Sequence, residues 1–195
     1  MTSTVDVLAK TFTSSNTDLV QLGDAMKYVG PIAASAGMNF ENTAAAVGLL
    51  GNAGIQGSSA GTALRNVISK LLDPSKKAIN VMDDLGLMTE DGALAFVDAE
   101  GNLKSFTDIV DILAKSGATT ADIMAVFGQR AGPGVAALVS QGSDALADLT
   151  TELEGAGGTA DKIASTQLEG LNGSITKMKS AFEGLMISIA DSGLL

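Results

Sequence analysis

"GNAGIQGSSAGTALRN" (residues 51–66) sets Gly51, Gly54, Gly57 and Gly61 ahead of an apolar stripe with Arg65 beside it. Such a run can cradle a phosphate, bend the chain between two helices, or let two helices close up. A phosphate loop needs a strand before it and a Lys-Ser/Thr pair opening the helix behind it. Here the preceding residues Phe40, Ala44, Val47 and Leu50 have helical spacing behind Asn39, a candidate cap, and no lysine follows Gly57 or Gly61. The stretch therefore reads as the end of a helix over 39–51, a turn, and the start of a helix over 58–72. Ala60, Gly61 and Ala63 are small enough for close helix packing. Arg65 reads as a solvated or carbonyl-capping residue, or as a contact to a neighbouring subunit.

Working outward, the same grammar recurs. Ser15 with Asp18 three residues later reads as a capping box ahead of Leu19, Leu22, Met26 and Val29. Pro31 interrupts that helix or begins the next. Beyond the helix of 58–72, Asp73-Pro74 is a stop, and a short helix over 75–85 ends near Gly86. The period then changes: "ALAFVDAEGNLKSF" (93–106) alternates around Glu100-Gly101-Asn102 and predicts a small β-hairpin. Ser105 with Asp108 and Thr119 with Asp122 open two more helices. Phe127, Gly128, Gln129 and Arg130 mark a helix end where a guanidinium can satisfy free carbonyls. "RAGPGVAALVSQG" (130–142) starts a further helix with Pro133 near its first position.

The expected fold is mainly α: a bundle or elongated array of short amphipathic helices with that one hairpin. "GAGG" (155–158) reads as a linker between a core of 1–154 and a C-terminal helix of 159–195. In the latter, Ala164, Leu168, Leu171, Ile175, Met178, Phe182, Leu185 and Ile189 recur at alternating steps of 4 and 3, a heptad seam. Its Leu171, Ile175, Met178 and Phe182 edge is expected to be buried, within the chain or against another copy. Gly170, Gly173 and Gly184 weaken it as a lone helix by roughly 1 kcal/mol each. Phe182→Asp should cost several kcal/mol in that setting, since it puts a charge into an apolar contact.

Composition excludes more than it specifies. A net charge of −10 leaves no basic surface to neutralise phosphates, so sequence-specific nucleic-acid binding is not expected. The chain has no His and no Cys, which removes the usual zinc sites and the Ser-His and Cys-His nucleophile pairs. Asp83/Asp84 and Glu90/Asp91 are adjacent pairs that cannot face one another across a substrate, and they read as solvated helix ends. Asp98, Glu100 and Asn102 place oxygens at alternate positions but lack the glycine and closing glutamate of a calcium loop. No catalytic residue, cofactor or metal site is expected. Residues 42–64 are uncharged over a span long enough to cross a bilayer, though rich in glycine and polar residues. That stretch is the support for an alternative reading as a helical pore-forming or membrane-active protein.

"AGMNFENTAAAVGLLGNAGIQGSSAGTALRNVISKLLDP" (36–74) resembles the core region of phage tail tape measure proteins. The matching positions are Ala53-Gly54-Ile55, Gly57-Ser58, Ala60-Gly61-Thr62 and Leu64-Arg65. Leu85-Gly86 before an acidic turn, "GNLKSFTDIVDIL" (101–113), Val126-Phe127-Gly128-Gln129-Arg130-Ala131 and the segment 171–195 follow in the same order. The resemblance implies a structural protein of the tail tube lumen that sets tail length, nucleates tube assembly and takes part in DNA ejection. It implies partners among other copies of itself, tail tube and tail-tip proteins and a tail assembly chaperone, and leaves room for membrane contact during ejection. It places the protein in the virion tail, and in host cytoplasm during assembly. Acidic charge suits a chain that shares a lumen with DNA and then separates from it. Packed as one domain, the chain should have a radius of gyration of roughly 16 Å. As continuous helix it would span roughly 290 Å. The glycines and prolines favour the compact state in isolation and an extended state only where walls or neighbouring copies support it.

Overall fold

The computed structural model describes residues 4–89, 92–98, 100–168, 170 and 180. The chain is mainly helical and divides into two units, residues 1–157 and 158–195. The first holds α1 (Thr4–Ser14), α2 (Leu19–Ser35), α3 (Phe40–Asn52), α4 (Gly57–Leu72), α5 (Lys76–Asp84), α6 (Phe106–Lys115), α7 (Thr120–Gln141) and α8 (Ser143–Glu154).

The hub is α3. Every residue from Asn42 to Gly51 is buried, and the helix touches α1, α2, α4, α6, α7 and α8. A helix surrounded on all sides has no solvent face to carry charge. That explains the uncharged run of 42–64: it is a central core helix, a turn and the first half of α4, not one span. Among the described residues no helix is long and apolar enough to cross a membrane. The membrane reading loses its main support. Ala44, Ala45, Ala46 and Gly48 keep α3 slim, so its neighbours close in around it.

Local signals placed most helices. Asn39, Ser75, Ser105 and Thr119 each accept a backbone N–H of the first turn that follows them. The box expected at Ser15/Asp18 is displaced by three residues. Asp18 is the cap, its Oδ1 accepting from Gln21 N at 2.7 Å, while the Gln21 side chain accepts from Asp18 N at 3.3 Å. Ser15 instead finishes α1, its hydroxyl donating to Thr11 O at 2.6 Å. Pro31 neither breaks α2 nor starts a helix. α2 runs through it, because buried Leu22, Ala25, Val29 and Ala33 on one face outweigh a single lost backbone bond.

The hairpin expected over 93–106 is absent; no strand occurs among the described residues. Two isolated antiparallel bridges, Met88↔Leu94 and Val97↔Leu103, replace it. The arms are claimed by the core before a ladder can grow. Phe96 and Leu103 are buried, and the Leu103 N–H donates to Ala36 O at the end of α2 (3.2 Å). At the tip, Asp98 Oδ1 accepts from Glu100 N and Asn102 N at 3.0 and 2.8 Å, so that carboxylate holds a turn.

In the second unit, residues 159–168 are helical. Ala164 and Leu168, the first two positions of the heptad seam, are exposed, Leu168 by 59%. Leu171, Ile175, Met178 and Phe182 lie outside the described residues.

Candidate functional site

The glycine stretch resolves into three separate devices. α3 ends in a Schellman motif: Ile55 N donates to Leu50 O at 2.8 Å and Gly54 N to Gly51 O at 3.0 Å. Gly54 sits at φ 81°, the left-handed position that this motif requires. Gly57 (φ 56°) opens α4 behind Gln56. The Gln56 side chain does not cap α4; its Nε2 donates to Asn16 O across the polar hollow between Ser15, Asn16, Asp18 and Gln21.

Gly61 does something different again. A Cβ there would collide with the backbone of Ala25, its carbonyl oxygen above all. α4 therefore lies with its backbone directly on that of α2, and Ala60, Leu64, Val67, Ile68 and Leu71 bury the rest of the seam. α7 repeats the theme more loosely, where a Cβ at Gly134 would lie 3.2 Å from the Ala63 Cβ.

Phe127 is almost fully buried, and Gly128 breaks α7 with φ 73° and ψ −178°. Helical backbone resumes directly after it and carries Pro133 inside. Arg65 and Arg130 are both exposed. Neither makes a hydrogen bond or ion pair within the described residues. The carbonyl-capping role expected at Arg130 is thus not found there.

A buried polar network escaped the sequence reading. Asn42 lies on the hub helix with 3% exposure. Its Oδ1 accepts from Phe106 N at 2.7 Å, and its Nδ2 donates to the Thr107 and Thr150 hydroxyls at 2.7 and 3.1 Å. The Phe106 N–H is one of the donors a helix leaves open at its start, so Asn42 completes α6 while tying it to α3 and α8. A lone Asn inside the run "NTAAAVGLLG" was the available signal, masked because position 42 also suits a first-turn polar residue.

Charge contributes at the rim. Lys10 Nζ meets Glu152 Oε1 at 2.6 Å and Ser14 donates to the same oxygen at 3.1 Å, joining α1 to α8. The Lys10 hydrogen bond holds the Glu152 carboxyl below its ordinary range against a smaller opposing effect of burial. Asp122 is held low by the hydroxyl and backbone N–H of Thr119, its capping partner. Lys115 is raised by its hydrogen bond to Asp111 one turn earlier (2.7 Å). Asp83 and Asp84 are exposed, Glu90 and Asp91 lie outside the described residues, and no cluster suited to a metal occurs among the described residues. The arrangement is one of packing and joints, in which the Asn42 network and the Lys10–Glu152 pair tie helices together.

A model of the phage-related minor tail protein family matches residues 1–116, more than half of the chain and all of α1 to α6. The chain belongs to this family. It is 33% identical over 190 residues, 94% of its length, to a tape measure protein of Pneumococcus phage Dp-1. It is 31% identical over 195 residues, 95% of its length, to a probable tape measure protein of Escherichia phage P2. Those stretches are 16% and 23% of the two relatives, so the chain spans under a quarter of either. No solved structure matches the chain. The two relatives match along almost the whole chain, in agreement with the resemblance read from the sequence.

Proposed function

We propose that the chain acts as a folded segment of a tape measure protein, a structural component that sets tail length, nucleates the tail tube and takes part in DNA ejection. The observation that supports this most is similarity along almost the whole chain to two phage tape measure proteins. On this reading the segment works in the tube lumen beside other copies of itself. Its partners are tube and tip proteins and, in the host cytoplasm, an assembly chaperone. It has no intrinsic catalytic activity and uses no cofactor. Membrane contact during ejection would fall to exposed apolar side chains such as Val20 and Leu19, since no described helix spans.

Interface residues on this reading are the exposed Arg65 and Arg130 and the seam of Leu171, Ile175, Met178 and Phe182. Gly54, Gly57, Gly61, Phe127 and Gly128 shape the surface from below.

The test is tail length in a phage that carries this segment. Deleting residues 73–104 removes α5 and the bridged loop. If the segment is drawn out as helix in the tube, tails shorten by about 50 Å, at 1.5 Å per residue. Tails of unaltered length would reassign it to a folded anchor that starts assembly without measuring. Normal tails after deletion of the whole segment would defeat the proposal.

A further inference from the structure

Residues 120–154 fold as three helical pieces, 120–127, 129–141 and 143–154, separated only by Gly128 and Gly142. Gly128 has φ 73° and ψ −178°, and Gly142 has φ 89° and ψ 156°. Both lie in the extended, positive-φ region that is essentially glycine's alone. A Cβ added at either position meets nothing within 4 Å. Crowding therefore does not demand these glycines; the change of backbone direction does.

Three further features treat the pieces as one helix. Buried Phe127, Ala131, Val135 and Leu138 before Gly142, and Leu146 and Leu149 after it, keep steps of three or four residues straight through, with Gly142 itself on the stripe. α8 starts with no side-chain cap because its cap position is Gly142 itself; α4 shares that lack behind Gln56, whereas α2, α3, α5, α6 and α7 each have a cap. The N–H of Gly142 still donates to Leu138 O and Val139 O at 3.0 and 3.2 Å, so the α7 ladder reaches into the joint and one residue's dihedral angles end it.

From these features we infer that Gly128 and Gly142 are the joints of a fold-out helix. Rotation at two residues converts 120–154 into one helix about 50 Å long. The closed form is held by Gln141 Nε2 on Leu49 O (2.9 Å), by Thr150 on Asn42, by Glu152 on Lys10, and by burial of Phe127 and Leu146. Opening releases those ties and uncovers the stripe, so the open form is favoured wherever the stripe meets another apolar surface. This device rests on backbone geometry and periodicity; its failure would leave the tail reading standing.

The chain has no native cysteine, so Ala121→Cys and Thr151→Cys, both at exposed sites, accept spin labels cleanly. Continuous helix puts these positions about 45 Å apart. Gly128→Ala with Gly142→Ala strains the closed joints and suits the open helix, so a peak near 45 Å, missing from the parent chain, should appear with helicity retained or raised. Gly86→Ala is the control: it sits at φ 68° with open space, ends α5, and should lower stability without giving that peak. Gln141→Ala loosens the latch without adding strain and should shift the distribution the same way as the joint variants, so the test survives if the double variant fails to fold. An unchanged distribution in both the joint and latch variants overturns the inference. So does a broad distribution with lost helicity in the latch variant, or the 45 Å peak in the Gly86 control.

Discussion

Gly61 on α4 and Gly128 on α7 belong to helices that pack on one another, and each is bordered by buried apolar residues. At Gly61 the backbone is ordinary helix and space is missing, because Ala25 of α2 occupies the volume a side chain would need. At Gly128 space is free and the backbone is extraordinary. One glycine is selected by what lies outside it and the other by its own dihedral angles. The first welds two helices; the second divides one. A glycine in a sequence carries no mark of which task it performs, and only the neighbour across the interface or the local dihedral tells them apart.

The sharpest way to break this contrast is to put the same methyl group at both places. Gly61→Ala forces α2 and α4 apart along their length and should cost about 3 kcal/mol, at the upper end for overpacking, since backbone cannot swing aside as a side chain can. Denaturant titration of the two variants under one set of conditions gives the comparison. A loss at Gly61 no greater than that at Gly128 would mean that the α2–α4 contact relaxes freely.

Asn42 comes next. Replacing it by Leu leaves the Phe106 N–H and the Thr107 and Thr150 hydroxyls without their partner inside the hub, and should cost about 2 kcal/mol. Hydrogen exchange at the Phe106 amide should quicken beyond the global change. Unaltered protection there would show that another acceptor had replaced Asn42.

How much of this could be read beforehand follows from the range of each interaction. Caps at Asn39, Ser105 and Thr119, the stop at Asp73-Pro74 and the turn at Gly54 depend on residues within four positions, and the sequence reading located all of them. Pro31 misled because its cost is local while the burial of Val29 and Ala33 that outweighs it comes from α2's neighbours. The 93–106 segment misled for a similar reason: its alternation is genuine, but Phe96 and Leu103 are drawn into a helical core. The Asn42 network links residues 65 and 108 positions apart and leaves no periodic trace. Gly142 closes the quoted stretch 130–142 with no local mark of its positive φ, so its role went unread. The tail family, in contrast, was legible from ordered short motifs around Gly54, Gly61, Arg65 and Arg130.

Gly128→Ala should cost about 1–2 kcal/mol, the penalty for a side chain at positive φ where nothing else is disturbed. Urea unfolding should show a lowered midpoint together with a reduced slope; a midpoint shift at constant slope would mean that the strained joint stays closed. The reduced slope reflects a native state that is already more open, which is the direction the fold-out helix predicts.

The smallest effect concerns the tie between α1 and α8. The Glu152 carboxyl, held low chiefly by the Lys10 hydrogen bond, titrates below its ordinary value of 4.5 in the folded chain. A group with a depressed folded value contributes its full stability above the unfolded value and loses it as pH falls through the folded one. Both side chains are well exposed, 30% for Lys10 and 45% for Glu152, so the contribution should stay below about 1 kcal/mol and shrink in strong salt. Lys10→Met reads it: the stability gap from the parent chain should be present at neutral pH and close as pH drops below about 4.5. Asp122 is shifted the same way, but by Thr119 on its own helix, and it cancels in the difference. A gap that persists in acid would assign the loss to packing of the lysine stem instead of its charge. A weak, salt-sensitive tie is what a helix that swings out on Gly142 can release; a tie worth several kcal/mol would argue that α8 is fixed in place.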